Sequence, residues 1–280
     1  MRIIKEEKIK EIVSKLCIQA NTILRKDILF ALKTALKKEK NKMAKKILEA
    51  IIKNAEVAKK KKLAICQDTG IPCVFVELGK DVKIIGDLKQ AINEGVELGY
   101  KKGFLRNSIV KNPLLRGEPF FKPAVIHIDI VKGEKLRLTV LPKGFGCENK
   151  TQLKMFNPTA SIKEIKEFII GVVKNAGPDA CPPYTVGVGI GGTADYACFL
   201  AKKALLKKIN TQYSILNTGI SKLEYDLLSE INKLNIGPMG LGGKTTCLGV
   251  NILTYPTHIA GLPVAVNISC HALRSATVTL

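Results

Sequence analysis

At 280 residues with 46% hydrophobic content, the chain is long enough for one large domain or two small ones, and its composition excludes a disordered protein. It carries 45 Lys and Arg against 24 Asp and Glu, a formal charge of +21, which raises the question of polyanionic partners. The basic residues recur as pairs on helical patterns (Lys37-Lys38, Lys45-Lys46, Lys202-Lys203, Lys207-Lys208), aromatics are 5% and Trp is absent. Solvated helix faces are therefore expected and nucleic-acid binding is not, because nothing offers bases a stacking platform.

The first 62 residues read as a helical lobe. Ile9, Ile12, Val13, Leu16 and Ala20 recur at helical spacing, and Asn21 or Thr22 is expected to cap a second helix through Leu36. A third pattern, Met43, Ile47, Leu48, Ile51, Ile52, Ala55 and Ala58, runs to a lysine block at Lys59. Residues 63–280 then read as mixed α/β, within a single catalytic domain spanning 1–280. A strand is expected from Pro72 to Val76, a helix over 86–101, and two strands over 122–131 and 135–141, joined through Gly133 as a hairpin. A helix over 161–174 opens on Ser161 and Glu164 in capping-box spacing. A strand over 185–190 leads into a helix over 194–208, another helix covers 222–234, and the apolar runs 250–253 and 264–268 suit buried strands. The fold class is thus α+β, mixed sheets flanked by helices behind a helical start. No apolar run is long enough to span a bilayer as a helix, and the first residues show no secretion signal, so a cytoplasmic protein is expected.

Two glycine motifs invite nucleotide readings. Gly187-Val188-Gly189-Ile190-Gly191-Gly192 satisfies G-x-G-x-x-G, but 209–219 holds no acid for a ribose. Gly240-Leu241-Gly242-Gly243-Lys244-Thr245 ends like a P-loop, yet Pro238 stands where the first glycine belongs. A nucleotide-binding enzyme therefore remains a remoter alternative, with tight turns and anion-facing amides as the plainer readings.

Eight cysteines stand at 17, 66, 73, 147, 181, 198, 247 and 270, with no Cys-x-x-Cys pair, so any metal site must draw on distant segments. Cys66, in Cys66-Gln67-Asp68-Thr69-Gly70, Cys181 before Pro182-Pro183, and Cys270 before His271 all lie at edges of apolar segments beside turn residues. Each is either a site thiol or a thiol buried next to a turn. Cys17 and Cys198 fall inside helical patterns and are expected in the core, while Cys73, Cys147 and Cys247 stay open. Of three histidines, His127 reads as a strand residue, and His258, in a loop, is a candidate for acid–base work.

Taken together and in order, Cys66-Gln67-Asp68-Thr69-Gly70, the Lys143-Gly144-x-Gly146-x-Glu148-Asn149 turn, Cys181-Pro182-Pro183 with 187–193, 240–244 and Ile268-Ser269-Cys270-His271 resemble the alpha-type portion of class I, iron–sulfur fumarate hydratases and tartrate dehydratases. Family members often read Gly-Gly-Gly-Ser-Glu-Asn at the second motif. Phe145 and Cys147 interrupt it here, so Cys147 is not counted as a ligand. The resemblance implies a [4Fe–4S] cluster on Cys66, Cys181 and Cys270, with one iron open as a Lewis acid. It implies reversible hydration of fumarate to (S)-malate, or else tartrate dehydration. Gln67, Gly146 and the carboxylate clamp Arg106 are implied as substrate contacts, with Asp68 and His258 as acid–base or orienting residues. It further implies a separate beta-type subunit completing the active site, pairing of alpha chains in an α2β2 assembly, and a small dicarboxylate substrate.

Overall fold

The structure is a computed structural model describing residues 2–209 and 219–280. In chain order its elements are β1 (Arg2–Lys5), α1 (Glu6–Thr22), α2 (Lys26–Lys38), α3 (Lys42–Lys61), β2 (Ile71–Gly79), β3 (Val82–Ile85), α4 (Leu88–Lys102), β4 (Ile109–Asn112), β5 (Arg116–Phe120), β6 (Val125–Val131), β7 (Leu136–Lys143), α5 (Phe145–Glu148), β8 (Gln152–Phe156), α6 (Ile162–Ala176), β9 (Tyr184–Gly191), α7 (Ala194–Ala204), α8 (Gly219–Lys233), β10 (Cys247–Tyr255), β11 (Leu262–Ser269) and β12 (Ala276–Thr279). The mixed α/β class read from the sequence is the class observed. The chain divides into two compact units, Met1–Arg25 with Ala55–Phe145 and Arg274–Leu280, and Lys26–Asn54 with Gly146–Leu273.

The first unit is built on a sheet in the order β12-β7-β2-β6, with β2 antiparallel to β7 and parallel to β6. The two strands expected to form a hairpin through Gly133 do not pair with each other, because β2 lies between them. The cause is apolar content: β2 buries five consecutive residues, Pro72 to Val76, and takes the centre, while β6 is mostly exposed. Helices α1 and α4 cover the sheet, and Ile9, Val13, Val74, Ile92, Val96 and Leu138 share one core. They come close because Gly95 and Gly99 carry no side chain. A Cβ on either would lie 2.7 or 2.6 Å from the carbonyls of Lys10 and Ser14. Asn21 and Thr22 are not caps of a second helix. They close α1, bonding back to the carbonyls of Cys17 and Ile18, as short polar side chains do within a helix.

The second unit holds a sheet in the order β10-β9-β11-β8, with β9 parallel to β10 and antiparallel to β11. Residues alternate between faces. Val186, Val188, Val264, Val266 and Ile268 bury against α6 and α8, while Ala265 faces α7 with Ala197 and Ala201. The expected capping box is present at α6, where the Ser161 side chain accepts from the Glu164 N–H and Glu164 reaches back.

The glycines of β9 serve this packing. A Cβ on Gly187 or Gly189 would lie 2.1 Å from the carbonyls of Ala201 or Ala197. The glycine-and-lysine segment is likewise committed within the unit, and a strand (β10), not a helix, follows it. Gly242 N–H donates to the Ile236 carbonyl at 2.9 Å, Gly243 N–H to Asn235 Oδ1 at 3.1 Å and Lys244 N–H to Glu39 Oε2 at 2.7 Å. Those amides are the ones a phosphate loop would offer its ligand. Packing within the unit thus accounts for Gly187 and Gly189 and for the amides of 242–244 without a bound nucleotide. Burial pushes the Glu39 carboxyl up, but the main-chain donors of Asn41, Lys244 and Lys40 outweigh it, and the net displacement is downward.

Candidate functional site

In the first unit the turn between α3 and β2 carries Cys66, Gln67 and Asp68 on consecutive residues, Gln67 exposed and the other two half-buried. Its conformation is set from outside as much as from within. Asp68 Oδ1 accepts from Gly70 N–H at 3.0 Å, an Asx turn, and Oδ2 accepts from Phe145 N–H at 2.9 Å, just past the end of β7. Gly70 takes φ +71°, and a Cβ there would meet the Lys143 main chain at 2.7 Å, so only glycine lets the turn lie this close to β7. The Tyr100 hydroxyl donates to the Thr69 carbonyl at 2.8 Å, and its burial pushes the phenol pKa up.

Thr69 links the turn to a second candidate. Its hydroxyl accepts from Arg106 N–H at 3.0 Å and donates to the Arg106 carbonyl at 3.3 Å. Gln67, Asp68 and Arg106 are thereby assembled in one region, with the Arg106 side chain exposed. Sequence reading gave no role to Thr69, Tyr100 or Arg274. Arg274 is 3% exposed and donates from Nη2 to the Asp68 carbonyl at 2.6 Å, while its Nε and Nη1 have no hydrogen-bond partner among the described residues. No sequence signal marks such a residue, because β12 brings it across from the end of the chain.

In the second unit the loop before β9 carries Cys181 at φ +56°, a left-handed conformation that is costly for a residue with a Cβ. His271 holds this loop to the segment of Cys270, since both its main-chain N–H, at 3.2 Å, and its ring Nδ1, at 3.1 Å, point at the Cys181 carbonyl. A carbonyl only accepts, so Nδ1 carries the proton. Met239 N–H donates to the Pro182 carbonyl at 2.8 Å, and Gly240 lets its turn approach Pro178, where a Cβ would sit at 2.2 Å. Two of the three candidate thiols are thus carried on segments joined by direct hydrogen bonds.

His258 is exposed and borders a cleft with Gly192, Thr193, Tyr196, Tyr255, Pro256 and Thr257. Ala260 N–H donates to its Nδ1 at 3.2 Å, which places the ring proton of the neutral form on Nε2. Gly146 is exposed, and a Cβ on it would have no neighbour nearer than the Asp179 carbonyl at 3.9 Å. Packing within the unit does not require glycine there.

The remaining cysteines separate by environment. Cys17, Cys73, Cys147 and Cys247 are buried, whereas Cys66, Cys181 and Cys270 are half-buried, and none of the eight is in a disulfide. Burial pushes the thiols of Cys17 and Cys247 up to about 12, so both stay protonated. Cys147 donates its thiol to the Ala180 carbonyl at 3.4 Å. Cys198 is half-buried beside the alanines of α7, not fully in the core as expected, because α7 packs there through small side chains at the edge of a small cluster. His127 stacks on Phe75 with ring centroids 5.0 Å apart, as a strand residue does. Among the described residues no three His, Cys, Asp or Glu side chains are grouped as a set able to hold a metal ion.

Comparison with known proteins decides the family. A sequence model described as "Fumarate hydratase (Fumerase)" matches residues 10–279. The chain belongs to the fumarate hydratase family. It is accordingly a hydro-lyase. A protein of Methanocaldococcus jannaschii named "Putative L(+)-tartrate dehydratase subunit alpha" is 40% identical over 280 residues, covering 96% of each chain. Proteins named L(+)-tartrate dehydratase subunit alpha from Escherichia coli strains UTI89 and K12 are each 29% identical over 274 residues, covering 96% of this chain and 90% of theirs. Among the described residues no helix is long and apolar enough to cross a membrane.

Proposed function

We propose that this fumarate hydratase family member is the alpha-type subunit of an iron–sulfur enzyme that hydrates fumarate reversibly to (S)-malate. The observation that carries the reading is the Cys66–Gly70 turn, where a thiol, an amide and a carboxylate stand on consecutive residues and Thr69 ties them to Arg106. The donor set suits a cluster chemically: Cys66, Cys181 and Cys270 are partly exposed thiols, as is Cys198 inside α7, while Cys17, Cys73, Cys147 and Cys247 are buried. A [4Fe–4S] cluster on these three would supply an open iron, a Lewis acid for the hydroxyl and a carboxylate oxygen of the substrate.

The chain's own residues then divide the remaining work. The planar Arg106 guanidinium pairs with a substrate carboxylate, and the Gln67 amide bonds to the same small dicarboxylate. Gly146 lets the substrate approach the main chain closely. Dehydration requires removal of a proton from the carbon beside one carboxylate, and hydration returns it. Asp68 and His258 are the groups of this chain proposed for that traffic or for orienting it. The Asp68 carboxylate is held by two amides, and His258 presents Nε2 with its proton.

A separate beta-type subunit completes the site, a reading supported by relatives that are themselves named alpha subunits, and alpha chains pair in an α2β2 assembly. A cytoplasmic location is part of this proposal. A second substrate reading, L(+)-tartrate, is favoured by the names of those relatives. One experiment separates the two. The chain is reconstituted anaerobically with iron and sulfide, combined with its beta-type partner, and assayed on malate, fumarate and L(+)-tartrate. Turnover of malate and fumarate alone supports the first reading, turnover of tartrate alone supports the second, and no turnover by a fully loaded complex overturns both.

A further inference from the structure

We propose that Arg274 is a positioning residue, which holds the Cys66–Gly70 turn in register by its bond to the Asp68 main chain. Three stretches of the first unit converge on Asp68. Gly70 N–H fixes Oδ1 from within the turn, Phe145 N–H fixes Oδ2 from the end of β7, and Arg274 Nη2 fixes the carbonyl oxygen from the segment before β12. The first two set the carboxylate rotamer. The third acts on the main chain, and therefore on the direction in which the neighbouring Cys66 and Gln67 leave the turn.

The residue is expensive for a purely structural strut. The residue is 3% exposed, and its Nε and Nη1 are buried without a hydrogen-bond partner among the described residues. A buried cation with two idle donors calls for a specific explanation. Its placement supplies one. Ala276, two residues on, is buried opposite Val140 in the β12–β7 ladder, so the sheet register fixes where the Arg274 main chain leaves β12. The same strand β7 ends at Lys143, two residues before the Phe145 amide that holds the other side of Asp68. Gly144 leaves room for this convergence: a Cβ there would be 3.0 Å from Asp68 Oδ2 and 3.9 Å from Arg274 Nη2. A charge-assisted donor at 2.6 Å is short and directional, and a neutral amide at position 274 would not replace it.

The functional consequence rests on the hydro-lyase reading, whereas the geometric claim does not, and the test keeps them apart. Hydrogen exchange is measured on the full chain for wild type, Arg274→Gln and Arg274→Lys. The amides of Gly70 and Phe145, which both donate to Asp68, are expected to exchange about tenfold faster in R274Q, with β2 amides such as Val74 unchanged and R274K intermediate. Unchanged exchange at both amides, or a uniform acceleration over the whole unit, overturns the proposal. In the reconstituted complex with the beta-type partner, R274Q is expected to lower kcat about a hundredfold with KM within about twofold, and R274K to recover about tenfold of that loss. Wild-type kcat per folded chain overturns it. Should R274Q not fold, R274K is judged on both readouts by the same criteria. A wild-type complex inactive on all three acids sinks the hydro-lyase reading, and amide exchange then decides the positioning claim alone.

Discussion

Around Asp68 the first unit holds its turn through side chains, the Asp68 carboxylate on the Phe145 N–H beyond β7 and the Arg274 guanidinium from before β12, whereas around Cys181 the second unit uses mostly main-chain N–H groups, those of His271 and Met239, with the His271 ring and glycines that permit close approach. The two arrangements fail differently. A turn held by side chains loses geometry when one donor is removed while the sheet persists. A loop held by close main-chain approach loses packing as soon as a side chain is added. The first kind of damage is expected in kcat, the second in stability.

The largest expected effects break the comparison at the proposed acid–base residues. Asp68→Asn and His258→Asn are each expected to lower kcat by about 10²- to 10⁴-fold in the loaded complex, the range for a positioned proton donor or acceptor, as read by steady-state kinetics. A large loss at one and none at the other assigns the proton transfer to that residue. Next come glycines. Gly189→Ala places a Cβ 2.1 Å from the Ala197 carbonyl and is expected to cost on the order of 1–3 kcal/mol, measured by urea unfolding. Gly146→Ala meets no such obstacle and is expected to leave stability within about 0.5 kcal/mol while raising KM, because its open face is proposed for substrate.

Smaller effects compare helix starts. Removing the Ser161 cap of α6 or the Asp87 cap of α4, each by substitution with Ala, is expected to cost about 1 kcal/mol in the respective unit. The smallest concerns acid. Hydrogen bonds from Lys101 and Lys122 hold the Glu97 carboxyl down to about 2, against a usual value of 4.5. A depressed carboxylate stabilises the fold above its unfolded pKa and loses that contribution as pH falls through the folded one. The stability difference between wild type and Glu97→Gln is therefore expected to be present at neutral pH, to shrink below pH 4.5 and to vanish near pH 2. Because the side chain is 28% exposed, added salt is expected to reduce it.

Local periodicity made the helices legible: the α1 positions Ile9, Val13 and Ala20 are all buried, and the Ser161–Glu164 spacing is a capping box. Strand partners were not legible, since alternation gives a strand's faces and not its neighbours, and so β6 and β7 read as a hairpin although β2 separates them. The same limit hid Arg274, which reaches Asp68 only through the pairing of β12 with β7. Both glycine motifs were visible, but their use was not: a glycine string permits phosphate binding or packing, and the carbonyls of Ala201 and Ala197 beside Gly187 and Gly189, with the bonded amides of 242–244, point to packing. Separating the cysteines by environment needed burial, which turned Cys147 and Cys247 from open candidates into core thiols.

The central claim is the assignment of three thiols, and iron counting tests it most directly. Wild type, Cys66→Ser, Cys181→Ser, Cys270→Ser and Cys147→Ser are reconstituted anaerobically, and iron and sulfide are measured per folded chain. Wild type and Cys147→Ser are expected to take up iron and sulfide in equal amounts with a brown chromophore, and the other three to lose it. A full cluster in any of those three, or its loss from folded Cys147→Ser, would contradict the assignment.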